Sequence, residues 1–150
     1  MSFLRGLLGI AVDKKYQVFV SSTYADLEKE REEVIKAILE LGCIPSGMEL
    51  FPAATDEQWT LIKRVIDECD YYLAIVAGRY GTLGSGGQSY TEMEYRYALK
   101  KNKPVMGFVH EDPTSLPAKH CEQTDAGWQN VRLVGYTRSS ERRTPDVLTY

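Results

Sequence analysis

Residues 71–109 read YYLAIVAGRYGTLGSGGQSYTEMEYRYALKKNKPVMGFV, two apolar runs separated by a glycine-rich loop and an acidic, aromatic stretch. The first run, Tyr71 to Gly78, is almost continuously apolar. That is the composition of a strand buried on both faces, and it predicts a central strand. Ser89 with Glu92 three positions later has the spacing that opens a helix, because a serine oxygen can accept an otherwise unpaired N–H of the first turn. A second strand is predicted over Lys103 to Val109. Two strands joined through such a helix run parallel, with a right-handed crossover.

The same alternation extends upstream. YQVFV, Tyr16 to Val20, is a β-branched and aromatic run that predicts a buried strand. Thr23 with Asp26 predicts a helix start, and Leu27, Val34, Ile35, Ile38, Leu39 and Leu41 then recur at helical spacing until Gly42. The intervening EKEREE reads as a solvated face. CIPSGMELF, residues 43–51, is a weak strand, suited by Pro45 and Gly47 to a sheet edge. The Thr55 to Gln58 spacing opens a further helix with Trp59, Ile62, Val65 and Ile66 as its apolar stripe, ending near Cys69. Strands and helices in strict alternation predict an α/β, three-layer, flavodoxin-like domain with a mainly parallel sheet of order 2-1-3-4. The chain divides into an N-terminal extension (1–15), this domain (16–117) and an irregular tail (118–150). In the tail VRLVGY, residues 131–136, is a candidate edge strand.

A chain of 150 residues, 43% hydrophobic and 26% charged, suits one soluble domain with its own core. A net charge of −3 leaves no surplus of cations to neutralise a phosphate backbone, which disfavours sequence-independent nucleic-acid binding and leaves room for small neutral or anionic ligands. Cys43, Cys69 and Cys121 lack CxxC spacing and a histidine partner, so they read as reduced thiols of a cytoplasmic protein, with no metal expected. His110 and His120 read as surface or loop residues. The opening MSFLRGLLGIAV is too short to span a bilayer, and Asp13, Lys14 and Lys15 follow it without a cleavage site. It reads as a frayed or docking helix, or as a segment for a membrane surface or a partner.

In an open parallel sheet, ligands bind outside the carboxyl ends of the strands. Ser21, Ser22 and Thr23, then Glu49, then Arg79 and Tyr80, and finally His110 and Glu111 are expected at that rim with the first turns of the helix that carries Tyr90 and Thr91. Ser21 to Thr23 lead into a predicted helix start, which serves either as a cap or as an anion site. An arginine ending a buried strand needs solvent, a ligand or a carboxylate such as Glu49, Glu92 or Glu94. GTLGSGG is not a dinucleotide fingerprint, and there is no P-loop lysine. Glu92 and Glu94 point about 200° apart on a helix, so they cannot form an acid and base pair on one face. Glu94 shares a face with Thr91 and Ala98 and is the inward residue; Glu92 is expected at the solvent side as a cap. Near the positive end of the helix dipole, Glu94 is expected to stay ionised and to stabilise a developing cation.

The blocks VFVSSTYADLEKEREEVIKAILELGCIPSGMELFPAATDEQW, IDECDYYLAIVAGRYG, SYTEMEYRYAL and KPVMGFVH together resemble domain-of-unknown-function family 4062, from about Tyr16 to Pro117. That family looks like a divergent branch of the Toll/interleukin-1 receptor (TIR) and nucleoside 2-deoxyribosyltransferase-like folds, usually as the N-terminal module of larger proteins, several resembling antiviral sensors. In the transferases a threonine, a glutamate and a tyrosine-alanine pair open the corresponding helix, and Thr91, Glu94, Tyr97 and Ala98 stand in that pattern. TIR-type NAD-cleaving enzymes place their glutamate four residues after an aromatic, as Tyr90 and Glu94 are placed. Arg96 stands where the transferases usually have glycine, and no aspartate accompanies SYT. The resemblance implies a nucleotide- or nucleoside-binding domain with N-glycosidase chemistry. Glu94 would act on the sugar as nucleophile or as stabiliser of an oxocarbenium-like C1′. Ser21, Ser22, Thr23, Glu49, Arg79, Tyr80, Tyr90 and Thr91 would surround the substrate, with NAD as one substrate to consider and no cofactor. The other readings are a non-catalytic module that self-associates or receives a partner, and a sensor that binds a nucleotide without cleaving it.

Overall fold

The computed structural model describes residues 14–47, 56–124 and 146–149. Five strands, β1 (Gln17–Ser22), β2 (Ile44–Gly47), β3 (Tyr71–Val76), β4 (Val105–Val109) and β5 (Asp146–Thr149), form one sheet of order 2-1-3-4-5. Every pairing is parallel, so the expected 2-1-3-4 order is found. β5 joins the outer edge of β4. VRLVGY lies outside the described residues.

Helices α1 (Glu28–Glu40), α2 (Asp56–Glu68) and α3 (Tyr90–Lys100) supply the crossovers. Strand side chains alternate between the two faces of the sheet, and the core divides accordingly. Val18, Val20, Leu73, Ile75 and Ala77 pack with Leu27 and Ile38 on the α1 side. Phe19, Tyr72 and Ala74 pack with Ile62 and Ile66 of α2 and Tyr95 and Ala98 of α3 on the other. There the Phe19 and Tyr72 rings stack at 5.6 Å.

Helix ends follow local chemistry. Gly42, at φ 72°, closes α1 while the Cys43 N–H donates to Ile38 O at 3.0 Å. Asn102, at φ 55°, does the same for α3, with the Lys103 N–H on Ala98 O. Lys103 Nζ also donates to the Asp67 and Cys69 carbonyls at 2.7 and 2.6 Å, covering the end of α2. The start of α1 differs from expectation. The helix begins at Glu28 behind Leu27, which offers no side-chain cap, and not at Thr23. Residues 24–27 form a turn that drops Leu27, 2% exposed, into the core, and this anchor sets the boundary. Leu39 and Leu41, expected on the apolar stripe, are exposed: Leu39 lies about 100° off the face of Leu27, Arg31, Val34 and Ile38, and Leu41 is the C-cap residue beyond the last turn of α1.

Past β4, two short 3₁₀ turns, Pro113–Ser115 and Ala118–His120, return the chain to the end of β3. The Glu122 N–H donates to Gly78 O at 2.8 Å, and Glu122 Oε1 accepts the Tyr80 N–H at 2.6 Å. Residues 118–122 thereby form a strap over Gly78. A Cβ on Gly78 would meet His120 O at 2.6 Å and Cys121 Sγ at 3.1 Å. Gly78→Ala is accordingly expected to lift the strap, with a loss of about 1–3 kcal/mol in urea unfolding. In a Cys43→Ser background, the thiol reagent DTNB should label Cys121 faster in this variant; unchanged stability and labelling would contradict the strap.

Candidate active site

The end of β1 distributes three successive side chains among three elements. Ser21, 1% exposed, points to the α3 side, where its hydroxyl donates to Glu94 Oε2 at 2.5 Å. Ser22 points to the opposite face, and its oxygen accepts from Arg31 Nη1 of α1 at 3.0 Å. Thr23 leads into the turn holding Asp26. Because α1 starts five residues beyond Thr23, these residues do not lie on its free N–H groups, and the expected cap or anion site at that helix end is not formed by them.

Glu94 is 3% exposed, held on α3 among Tyr95 and Ala98 as the helix lies close to the sheet. Burial pushes its carboxyl up to about 7, against the opposing pull of the Ser21 hydrogen bond and the Arg31 charge. The expectation of a fully ionised group is corrected on this point: desolvation outweighs the helix dipole. Glu94 therefore changes charge near neutral pH.

Glu92 is also buried, at 8% exposure, and does not face solvent as expected. The Tyr80 hydroxyl donates to its Oε2, while Arg96 Nε at 2.6 Å and Gln88 Nε2 at 3.3 Å reach its Oε1. Tyr80 folds back over the start of α3 and turns that side of the helix into an interior. Burial, and then Glu92, push the Tyr80 hydroxyl up. Ser89 caps the helix as expected, its oxygen accepting the Glu92 N–H at 3.2 Å. The two glutamates thus belong to separate networks.

Gly81, at φ 97°, is where the SST segment meets α3. A Cβ there would lie 2.9 Å from Thr23 Cγ2 and 3.5 Å from Thr91 Oγ1. The glycine loop beyond is braced by its own backbone, with the Gly84 N–H on Gln88 O at 2.8 Å and the Tyr90 N–H on Thr82 O at 3.0 Å. The Tyr90 side chain packs against the Phe19 and Tyr72 core and is half-buried. Arg79 is exposed, and its charge bears on Asp26. Of its expected partners, Glu92 pairs with Arg96, Glu94 is held by Ser21, and Glu49 lies outside the described residues.

Two buried charged residues at this rim escaped the sequence reading. Arg31 is 5% exposed, although EKEREE read as solvated. The signal was present, since Leu27, Arg31, Val34 and Ile38 share one helical face. Asp26, which the spacing from Thr23 marks only as part of a helix start, is 7% exposed. Burial pushes its carboxyl up, opposed by the nearby Thr23 hydroxyl, its own backbone N–H, and the charges of Arg79 and His120. A separate hollow of about 320 Å³ lies on the α1 side over Ile75, Phe108 and Val34, rimmed by Lys29, Glu30 and Glu33. Its apolar floor is on the face away from Glu94. Among the described residues, no cluster of His, Cys, Asp or Glu is arranged to hold a metal ion, and no helix is long and apolar enough to cross a membrane.

A family model described as "Domain of unknown function (DUF4062)" matches residues 17–145. The chain belongs to the DUF4062 family. Among solved structures, the TIR domains of the activated Roq1 resistosome directly recognizing the pathogen effector XopQ match at 14% identity and TM-score 0.54, over 83% of this chain and 75% of theirs. A Clostridium botulinum CMP N-glycosidase, BcmB, matches at 18% identity and TM-score 0.46, over 89% and 87%. A prokaryotic SEFIR domain matches at 15% identity and TM-score 0.44, over 85% and 95%. No curated protein matches the sequence. At these identities the similarity to the TIR domains concerns the fold, and this DUF4062 chain has a TIR-like α/β architecture.

The buried carboxyl of Glu94 links stability to pH. The folded chain retains the Glu94 proton between the ordinary value of 4.5 and about 7, where the unfolded chain has released it. Its favourable contribution is full below pH 4.5 and is lost as pH rises through 7. Glu94→Gln keeps an acceptor for Ser21 and removes the titration. In urea unfolding it is expected to be near neutral at pH 4.5 and to stabilise by about 3 kcal/mol at pH 8. An equal effect at both pH values would refute the buried titration.

Proposed function

We propose that the domain binds a nucleotide or nucleoside and cleaves its N-glycosidic bond, with Glu94 acting at C1′. The observation that carries this reading is a buried carboxyl, oriented by Ser21 Oγ at 2.5 Å and titrating near 7, at the rim where an open parallel sheet binds ligands. Ionised Glu94 attacks C1′: a C1′–O bond forms as the C1′–N bond breaks, and the electron pair leaves on the base. Water then attacks C1′ of the glycosyl ester, freeing the sugar with a hydroxyl at C1′ and returning the Glu94 carboxylate; the water's proton goes to solvent or to the departed base. Thr23, Tyr80 and Thr91 stand around this rim, and the exposed Arg79 is available to a phosphate. A base that carries positive charge before departure leaves without needing a proton, so NAD heads the substrates to be tried.

Base release from NAD and a panel of nucleosides and nucleotides tests the reading. Glu94→Gln should lower release by about 100-fold or more. In the wild-type protein the rate should rise with pH around a midpoint near 7, as the nucleophile ionises. Ser21→Ala removes a hydrogen bond that favours the charged form, so its midpoint should move upward. Undiminished release in Glu94→Gln would remove this residue from the chemistry.

A second reading, a self-associating module of a signalling or defence protein, is supported by one surface. Tyr16, Leu39, Leu41 and Ile44 are exposed near the outermost strand, β2, where Ile44 N–H bonds to Tyr16 O. Sedimentation velocity over a concentration series should then show association that Leu41→Lys abolishes. A monomer at every concentration would contradict this reading.

A further inference from the structure

Buried polar atoms without a hydrogen-bond partner are rare, because their desolvation is not repaid. Neither carboxyl oxygen of Asp26 has a well-formed hydrogen bond, nor has Thr23 Oγ1 in the same turn; the Thr23 hydroxyl and the Asp26 backbone N–H are near enough only to offset part of the cost of burying the carboxyl. Asp26 does not serve as the cap of α1, whose N-cap is Leu27 without a side-chain hydrogen bond. Arg79 and His120 stand near enough for their charge to favour its ionised form, but burial prevails. The fold therefore keeps a buried carboxyl and a hydroxyl side by side, incompletely hydrogen-bonded, in a turn that its own helix does not use.

Their placement gives them a use. Thr23 is two residues beyond Ser21, the residue that holds Glu94. Thr23 Cγ2 and Thr91 Oγ1 lie within 2.9 and 3.5 Å of one point beside Gly81, and Thr91 is about one turn before Glu94 on the same helix face. Paired carboxylate oxygens with an adjacent hydroxyl match a ligand that presents two neighbouring O–H donors, and a carboxylate taking the hydroxyls of a ribose is a recurrent solution to that problem. We infer that Asp26, with Thr23, receives the 2′- and 3′-hydroxyls of a ribosyl substrate, so that the site takes ribonucleotides in preference to 2′-deoxyribonucleotides. The inference rests on the nucleotide reading above and adds a specificity residue to it. The three oxygens are closed off from water, and His120 and Cys121 of the 118–122 strap lie near enough to Asp26 for charge to act between them, so that strap has to shift when the sugar enters.

Calorimetric titration with AMP, 2′-deoxy-AMP and 3′-deoxy-AMP tests this, with NAD as a further probe. Wild-type protein should bind AMP about 10-fold or more tighter than either deoxy analogue, since a site built around a hydroxyl leaves its acceptors unpaired when the hydroxyl is missing. Asp26→Leu, of similar size, should bring the ratio close to one and raise Tm, as a buried carboxyl whose desolvation is only partly offset is removed. Thr23→Val should reduce the preference while retaining part of it. Equal affinity for ribo and deoxy probes in the wild type, an unchanged ratio in Asp26→Leu, or a lowered Tm would each overturn the assignment. Binding without ribose preference removes Asp26 alone, whereas failure of every nucleotide, NAD included, to bind the wild-type protein removes the nucleotide reading and this inference with it.

Discussion

A serine hydroxyl on the sheet and a carboxyl on a covering helix, 73 residues apart in sequence, meet at 2.5 Å. Much of the architecture is needed to bring them together. β1 must pair with β3 so that Ser21 lies beside Ala74, and α3 must come close enough to the sheet for Glu94 to reach across. Small side chains at Ala74 and Ala98, 1% and 0% exposed, permit that approach. A carboxyl brought so far from water is held in a state that neither solvent nor the helix dipole alone would produce, and its changed acidity follows from its depth.

The same approach explains how the rim collects polar residues without breaking the core. Alternation along β1 sends Ser21 to Glu94 and Ser22 to Arg31, so consecutive hydroxyls reach charged groups on opposite faces. Below them, Phe19 and Val20 continue the two apolar halves. Apart from Gln17 at its start, only the last two residues of β1 are polar. Thr23 and Asp26 continue the pattern into the turn, where backbone geometry and not strand alternation decides what they touch.

The alternation of elements was legible because β1, β3 and β4 are short apolar runs and the helices between them carry capping signals or apolar stripes, while Pro45 and Gly47 suited β2 only to an edge. Glu94 was legible as the inward residue because helix geometry separates it from Glu92 and Ala98 marks the close face. Glu92 was misread for a reason outside helix geometry: Tyr80 folds back from the preceding loop and covers it, a tertiary contact that no local spacing encodes. Arg31 was hidden by composition, five charged neighbours masking its place on the Leu27, Val34 and Ile38 face. The start of α1 was misplaced because a capping signal at Thr23 competes with the burial of Leu27, and burial prevails. β5 carries too few residues to stand out in the tail, and its position beside β4 follows from pairing, which sequence periodicity does not report.

Parallel pairing throughout the sheet also has a consequence for how the chain assembles. No two neighbouring strands can be joined by a tight hairpin, so every pairing waits for a full crossover to close. The middle of the sheet is β3, which begins only at Tyr71, while β1 and β2 are complete by Gly47. During synthesis, β1 consequently emerges with one edge open until Val76 has followed, and Ser21 and Glu94 can meet only after α3 has emerged as well. Assembly dominated by such distant pairings is slow relative to that of helical bundles. The contact between Ser21 and Glu94 is thus among the later features of the domain to form as it leaves the ribosome.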